Sequence, residues 1–181
     1  NLFFSGGSTL ITTGVQSQGI IAQSVGGGGG FTSQNGDAML LGMSGGIGSA
    51  ANVTIDHRGT IATSGKYSEG IIAQSIGGGG GWIGAVPAGT VQLGGLTTGT
   101  STGADLELTL PFQVVTTGTN SPGAVLQSIG GGGGIVADVG GNVTIGGTQQ
   151  IGVDASAGSL NYTQLSRIIQ TTAADSPGVV L

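Results

Sequence analysis

His57 is the only histidine in the chain, and there is no cysteine. A serine-histidine-carboxylate triad would have to be built on His57, which sits in the phrase "DHRGT" (Asp56–Thr60). Such a triad needs a base held between a nucleophile and an orienting acid. The phrase reads instead as a solvated turn between two strands. Asp105 and Glu107 stand two residues apart on a predicted strand and so share one face. A carboxylate pair of that kind can serve a glycosidase or hold a cation, and it can equally face solvent, which is the reading preferred here.

Other chemistries fail on spacing. A calcium-binding β-roll repeats G-G-x-G-x-D-x-U-x, whereas "GGGGIVADVGG" puts Asp138 out of place and occurs once. A phosphate-binding loop needs G-K-[ST] after its glycines, and no glycine run here has it. One histidine without cysteine cannot supply a zinc site. The threonine pairs 12–13, 97–98, 116–117 and 171–172 lack the regular Thr-x-Thr of an ice- or polysaccharide-binding array. No catalytic, cofactor-binding or metal-binding residue is therefore assigned, no cofactor is expected, and the chain does not read as an enzyme.

What recurs is a building unit. Gly19–Gly30 reads "GIIAQSVGGGGG", Gly70–Gly81 "GIIAQSIGGGGG" and Gly123–Gly134 "GAVLQSIGGGGG", while Gly178–Leu181 opens a fourth copy. The starting glycines are 51, 53 and 55 residues apart, a period that signals a stacked or solenoid architecture. Each copy has a lead-in with a β-branched residue and Thr/Gly-rich turn chemistry: "ITTGVQSQ", "IATSGKYSE", "VTTGTNSP" and "IQTTAADSP". The chain is expected to be a repeat array over residues 1–181, with modules near 1–51, 52–103, 104–159 and a partial 160–181. It reads as a piece of a longer protein.

Composition narrows the class. Glycine supplies 42 of 181 residues, yet charged residues are 6% and hydrophobic ones 37%, which is too apolar for solvated disorder. Glycine does not recur at every third position, so collagen is excluded. Net charge is −5, with Arg58, Lys66 and Arg167 as the only fixed cations. Nucleic acid needs clustered Lys and Arg, so it is not an expected partner, nor is an anionic membrane surface. No apolar run reaches the roughly 18 residues of a transmembrane helix.

Short β-branched segments separated by Gly, Asn, Asp, Ser or Pro predict strands throughout. They include "NVTI" (Asn52–Ile55), "GIIAQSI" (Gly70–Ile76), "ADLELTL" (Ala104–Leu110) and "GAVLQSI" (Gly123–Ile129). "LNYTQLSRIIQ" (Leu160–Gln170) has helical spacing, but Tyr, Thr and Ile favour a strand. The expected fold class is all-β, a parallel β-helix or β-solenoid built of repeated modules. Two to three coils per module are expected, which would set Gln23, Gln74 and Gln127 in line but about 10–14 Å apart, out of contact.

Alternation places Ile71, Ala73 and Ser75 on one face of the repeat strand and Ile72, Gln74 and Ile76 on the other. Both faces are apolar enough to expect cover on each side; the alternative is an ordinary surface strand of small residues. Five consecutive glycines carry an entropic cost of about 0.5–1 kcal/mol each. Close backbone approach or positive φ would compensate it, and a flexible loop is the alternative. Phe31 and Trp82 follow two of the runs and could anchor their exits.

"GIIAQSIGGGGG", preceded by I-x-T-S-G-x-Y-S-x-G, resembles the repeat of large bacterial autotransporter (type V secretion) passenger domains. The likeness covers three modules and the opening of the fourth; the third copy departs with Ala124, Val125 and Leu126, which stay apolar. The resemblance implies a right-handed parallel β-helix, exported through an outer-membrane barrel to the surface of a Gram-negative bacterium or beyond it. The expected function is a structural or adhesive extracellular rod, self-associating laterally or end to end into filaments, with a host or neighbouring-cell surface or matrix as a further partner. The alternative is a carbohydrate-acting or glycan-binding β-helix.

Overall fold

A computed structural model describes residues 2–4, 7–32, 38–41, 48–86, 90–94, 101–110, 113–139, 142–145, 160–164, 169–171, 176 and 179–180. Every regular element among them is a β-strand. The chain runs through β1 (Leu2–Phe4), β2 (Thr9–Thr12), β3 (Ile20–Val25), β4 (Gly29–Thr32) and β5 (Ala38–Leu41). It continues through β6 (Val53–His57), β7 (Thr60–Thr63), β8 (Ile71–Ile76), β9 (Gly80–Val86) and β10 (Thr90–Leu93). A third round holds β11 (Leu106–Leu110), β12 (Val114–Thr116), β13 (Ala124–Ile129), β14 (Gly133–Val139) and β15 (Asn142–Ile145). Then come β16 (Leu160–Gln164), β17 (Ile169–Thr171) and β18 (Val179–Val180).

Strands five apart in the chain pair side by side, giving the sheets β1-β6-β11-β16, β2-β7-β12-β17, β3-β8-β13-β18, β4-β9-β14 and β5-β10-β15. All pairings are parallel. This is a β-solenoid, and it corrects the expected pitch: one module makes one coil, not two or three. A coil of five strands with their bends takes up the whole period, so equivalent residues of successive modules are direct neighbours. Gln23 pairs with Gln74 and Gln74 with Gln127 in register.

In the segment read as Leu160–Gln170 the described residues are strand, β16 at one end and β17 at the other, and 165–168 lie outside the described residues. Tyr, Thr and Ile favour a strand by propensity, and parallel pairing of β16 with β11 and of β17 with β12 supplies the backbone partners.

Alternation sets the interior. In β6, Val53, Ile55 and His57 point inward while Thr54 and Asp56 are partly exposed; in β11, Leu106, Leu108 and Leu110 point inward. These join Ile61, Ile71, Ala73, Val114, Ala124 and Leu126 in one apolar core. β8 differs because every residue in it is buried. Ile72, Ile76, Trp82, Ile83, Val91 and Leu93 are buried too but lie outside that core. They form a second layer outside β8, where β9 packs against β8 and β10 packs against β9. The expected cover on both faces of the repeat strand is present, and the stretch that follows the glycine run supplies it.

Candidate functional site

The most elaborate constellation in the molecule is the corner between the second and third strands of each coil. Its sequence is Thr-x-Gly-x-x-Ser, at Thr12–Ser17, Thr63–Ser68 and Thr116–Ser121. The threonine hydroxyl donates to the carbonyl of the serine five residues on, at 2.5, 2.6 and 2.7 Å in the three coils. That bond closes the turn within a coil. The serine hydroxyl then ties coil to coil. Ser68 Oγ accepts from Ser17 N–H (3.0 Å) and donates to Gly14 O (2.9 Å). Ser121 Oγ accepts from Ser68 N–H (2.9 Å) and donates to Gly65 O (3.0 Å), and Ser176 Oγ repeats the pattern with Ser121 N–H and Gly118 O.

This geometry explains the residue types. The residue before each serine has positive φ: Gln16 at 54°, Tyr67 at 53° and Asn120 at 54°. That region is unfavourable for side chains larger than glycine, and inter-coil bonds from Gln16 N–H to Lys66 O and from Tyr67 N–H to Thr119 O hold it. A Cβ at Gly65 would run into the Gly14 carbonyl and stand 2.8 Å from Ser68 Oγ.

Two further ladders follow the strand. Gln23 Nε2 donates to Gln74 Oε1 at 2.5 Å, and Gln74 Nε2 to Gln127 Oε1 at 2.7 Å. The glutamines touch, against the expectation that they only line up. Gln74 is fully buried, and its Nε2 also reaches Gly81 O at 3.4 Å, which bonds the strand to its cover. The next residue along is serine: Ser75 Oγ accepts from Ala104 N–H (2.8 Å) and donates to Ala51 O (3.1 Å). It thereby pins the stretches that lead into β6 and β11.

The glycine runs follow the same backbone path in all three coils, with positive φ at Gly27–Gly30, Gly78–Gly81 and Gly131–Gly134. Gly78–Gly81 all have positive φ, from 77° to 133°, and the whole run 77–81 is buried. They turn the chain back over the strand just completed and then enter β9. Gly81 shows why no side chain is allowed: at φ 133°, a Cβ would collide with the Gly30 backbone carbonyl of the coil before. This geometry matches the close-approach reading. Trp82 stacks face to face on Phe31, with centroids 4.4 Å apart and planes 6° from parallel, so the aromatics do anchor the exits.

The residues weighed for chemistry are placed as follows. His57 ends β6 and is 2% exposed, which corrects the solvated-turn reading. Inward alternation continues one residue beyond the apolar stretch, and only Arg58 and Gly59 make the turn. Burial holds His57 below the usual imidazole range, against the pull of the Asp56 charge. Asp56 faces outward and pairs with Arg58 at 3.0 Å. Asp105 and Glu107 are both exposed on one side of the chain entering and running along β11, with Leu106 and Leu108 inward. Asp138 lies in β14 opposite Ala85. Thr12, Thr63 and Thr116 are turn-closing threonines; Thr97, Thr98 and Thr172 lie outside the described residues.

Among the described residues no three His, Asp or Glu side chains come together as metal ligands. An open recess of about 330 Å³ beside β3 is lined by residues 21–24 and 52–54, none of them titratable. Ser24 Oγ within it already accepts from Ala51 N–H. The geometry thus brings the repeat's polar residues together as coil-to-coil fasteners, while His57 and the Asp105–Glu107 pair remain on different faces of the wall. Comparison with family models, curated proteins and solved structures finds no match for this chain.

The sequence reading missed one residue, Glu69. It is only 4% exposed, and its carboxyl accepts from Gln18 Nε2 at 2.9 Å. A signal existed, since the position before the strand glycine is Gln18, Glu69, Pro122 and Pro177 in the four copies. A charged residue in a row of neutral ones marks an exception.

Proposed function

We propose that this chain is a section of an exported, surface-displayed rod of the autotransporter-passenger kind, whose role is structural and adhesive. One observation carries the reading. The polar side chains that define the repeat (Thr, Ser and Gln) are engaged in closing turns and joining coils, as at Ser68, Ser121 and Gln74. What is repeated is therefore rigidity along an axis, not a reaction centre. Stability in such an array is a sum of coil and interface terms and grows with length. A chain without cysteine has no disulfide to close before it crosses a membrane.

On this reading the rod stands on a Gram-negative cell or is released from it. Its contacts are other copies, laterally or end to end, and a host or neighbouring surface or matrix. Unpaired strand edges at any solenoid end favour the end-to-end mode. The test is antibody against this chain on intact and permeabilised source cells, with the denatured mass of the labelled polypeptide. Labelling of intact cells and a mass of a hundred kilodaltons or more are expected. Labelling only after permeabilisation would refute surface display.

A further inference from the structure

The corner that carries the serine ladder also holds a buried acid. In the first coil the corresponding residue is Gln18 and in the third Pro122, so the fold does not require a carboxyl there. Glu69 lies 4% exposed between these two turns. Gln18 Nε2 bridges the Tyr67 carbonyl (3.0 Å) and Glu69 Oε2 (2.9 Å). The carboxyl also meets its own backbone N–H, and the Trp82 indole N–H faces it without a well-formed hydrogen bond.

Among the described residues no cation balances it. The turns below and above, residues 13–19 and 117–123, contain no charged residue, and neither do β3, β4, β8, β9 or β13. On its own turn the one charge is Lys66, whose Nζ sits 4.5 Å from the centre of the Tyr67 ring. In β14 the one charge is Asp138, of the wrong sign. The ion pair among the described residues, Arg58–Asp56, is elsewhere. Removing a carboxylate from water without a counter-charge favours its neutral form. Burial accordingly holds the Glu69 carboxyl above the usual glutamate range, against the donors from Gln18, its own N–H and Trp82.

We propose that Glu69 is an acid-responsive element of the second coil: its neutral form is the one that this buried corner without a counter-charge tolerates, and its ionisation, which the N–H donors of Gln18 and Trp82 only partly offset, drives the corner to open towards water. The sign follows from linkage. A group whose folded form holds its proton more tightly stabilises fully below its unfolded titration, and that stability is lost as pH rises through its folded titration. Acidification tightens this corner.

Trp82 is the only tryptophan in the chain, so its emission reports the site alone. Emission and melting temperature of the chain are measured from acid to neutral pH for the native protein and for Glu69→Gln. The expected result is a native emission transition above the usual glutamate range, with melting temperature falling as pH rises through it. Both effects should vanish in Glu69→Gln, a substitution the first coil already accommodates with Gln18. An emission change at the ordinary glutamate range, none at all, or one that persists in Glu69→Gln overturns the proposal. Infrared difference spectra of the native protein give an independent reading: a protonated-carboxyl band that outlasts the ordinary range is expected, and its absence is refuting.

Discussion

Ser121→Ala tests the corner ladder at its most enclosed point. Ser121 is fully buried, and its hydroxyl serves two backbone groups of the coil before, the Ser68 N–H at 2.9 Å and the Gly65 carbonyl at 3.0 Å. Alanine fits the space but leaves both without a side-chain partner. A buried polar group left unsatisfied costs about 1–3 kcal/mol, and two sharing one lost hydroxyl give roughly 2–4 kcal/mol. The direct readout is hydrogen exchange at the Ser68 amide. At about 1.4 kcal/mol per factor of ten, its protection should fall by roughly 30- to 1000-fold. Ser64→Ala is the control: Ser64 is exposed and its hydroxyl bond to Thr12 O is long, 3.5 Å, so a change within about 0.5 kcal/mol is expected. If Ser121→Ala costs no more than this control and Ser68 keeps its protection, the ladder is not what joins the coils.

Gly81→Ala should destabilise well beyond Gly30→Ala in urea titrations. Both have strongly positive φ, a strain of about 1–3 kcal/mol for alanine, but only at Gly81 does the new Cβ strike a backbone carbonyl. Gln74→Leu keeps the volume but strands Gln23 Nε2 and Gln127 Oε1, for a loss of about 1–3 kcal/mol measured by chemical denaturation. Burial disfavours the charged His57 imidazole, so its contribution is complete above the ordinary imidazole range and is lost as pH falls through its lowered folded titration. His57→Leu should remove that acid-side loss from a series of melting curves between pH 8 and 5.

The β class, the module and most strand positions were legible because they rest on local chemistry. β-branched segments bounded by glycine became β6, β8, β11 and β13. The two-sided burial of β8 was legible from Ile71, Ile72 and Ile76 on opposite faces. The agent of that burial was not, since nothing local distinguishes a glycine run that folds back from one that hangs free. The serine of the lead-in looked like generic turn chemistry. Its role appears only when Ser17, Ser68, Ser121 and Ser176 are stacked one coil apart. His57 was read as part of a solvated turn and Glu69 was not singled out, because their burial comes from neighbouring turns and coils distant in the chain.

The sequence by itself determined that equivalent residues recur every 51 to 55 positions, that they form strands and that the chain must stack. A period is a contour length, however, and contour length does not specify how many times the chain circles an axis. Only the tertiary structure decided that one module closes one coil of five strands. That closure brings like residues within hydrogen-bond reach, which turns Gln23, Gln74 and Gln127 from an aligned row into a bonded ladder. It also sets the glycine backbones so close that no Cβ fits at Gly81. The physical reason is the spacing between parallel strands, about 4.8 Å: at one coil per module it separates identical residues, and at two or three it would not.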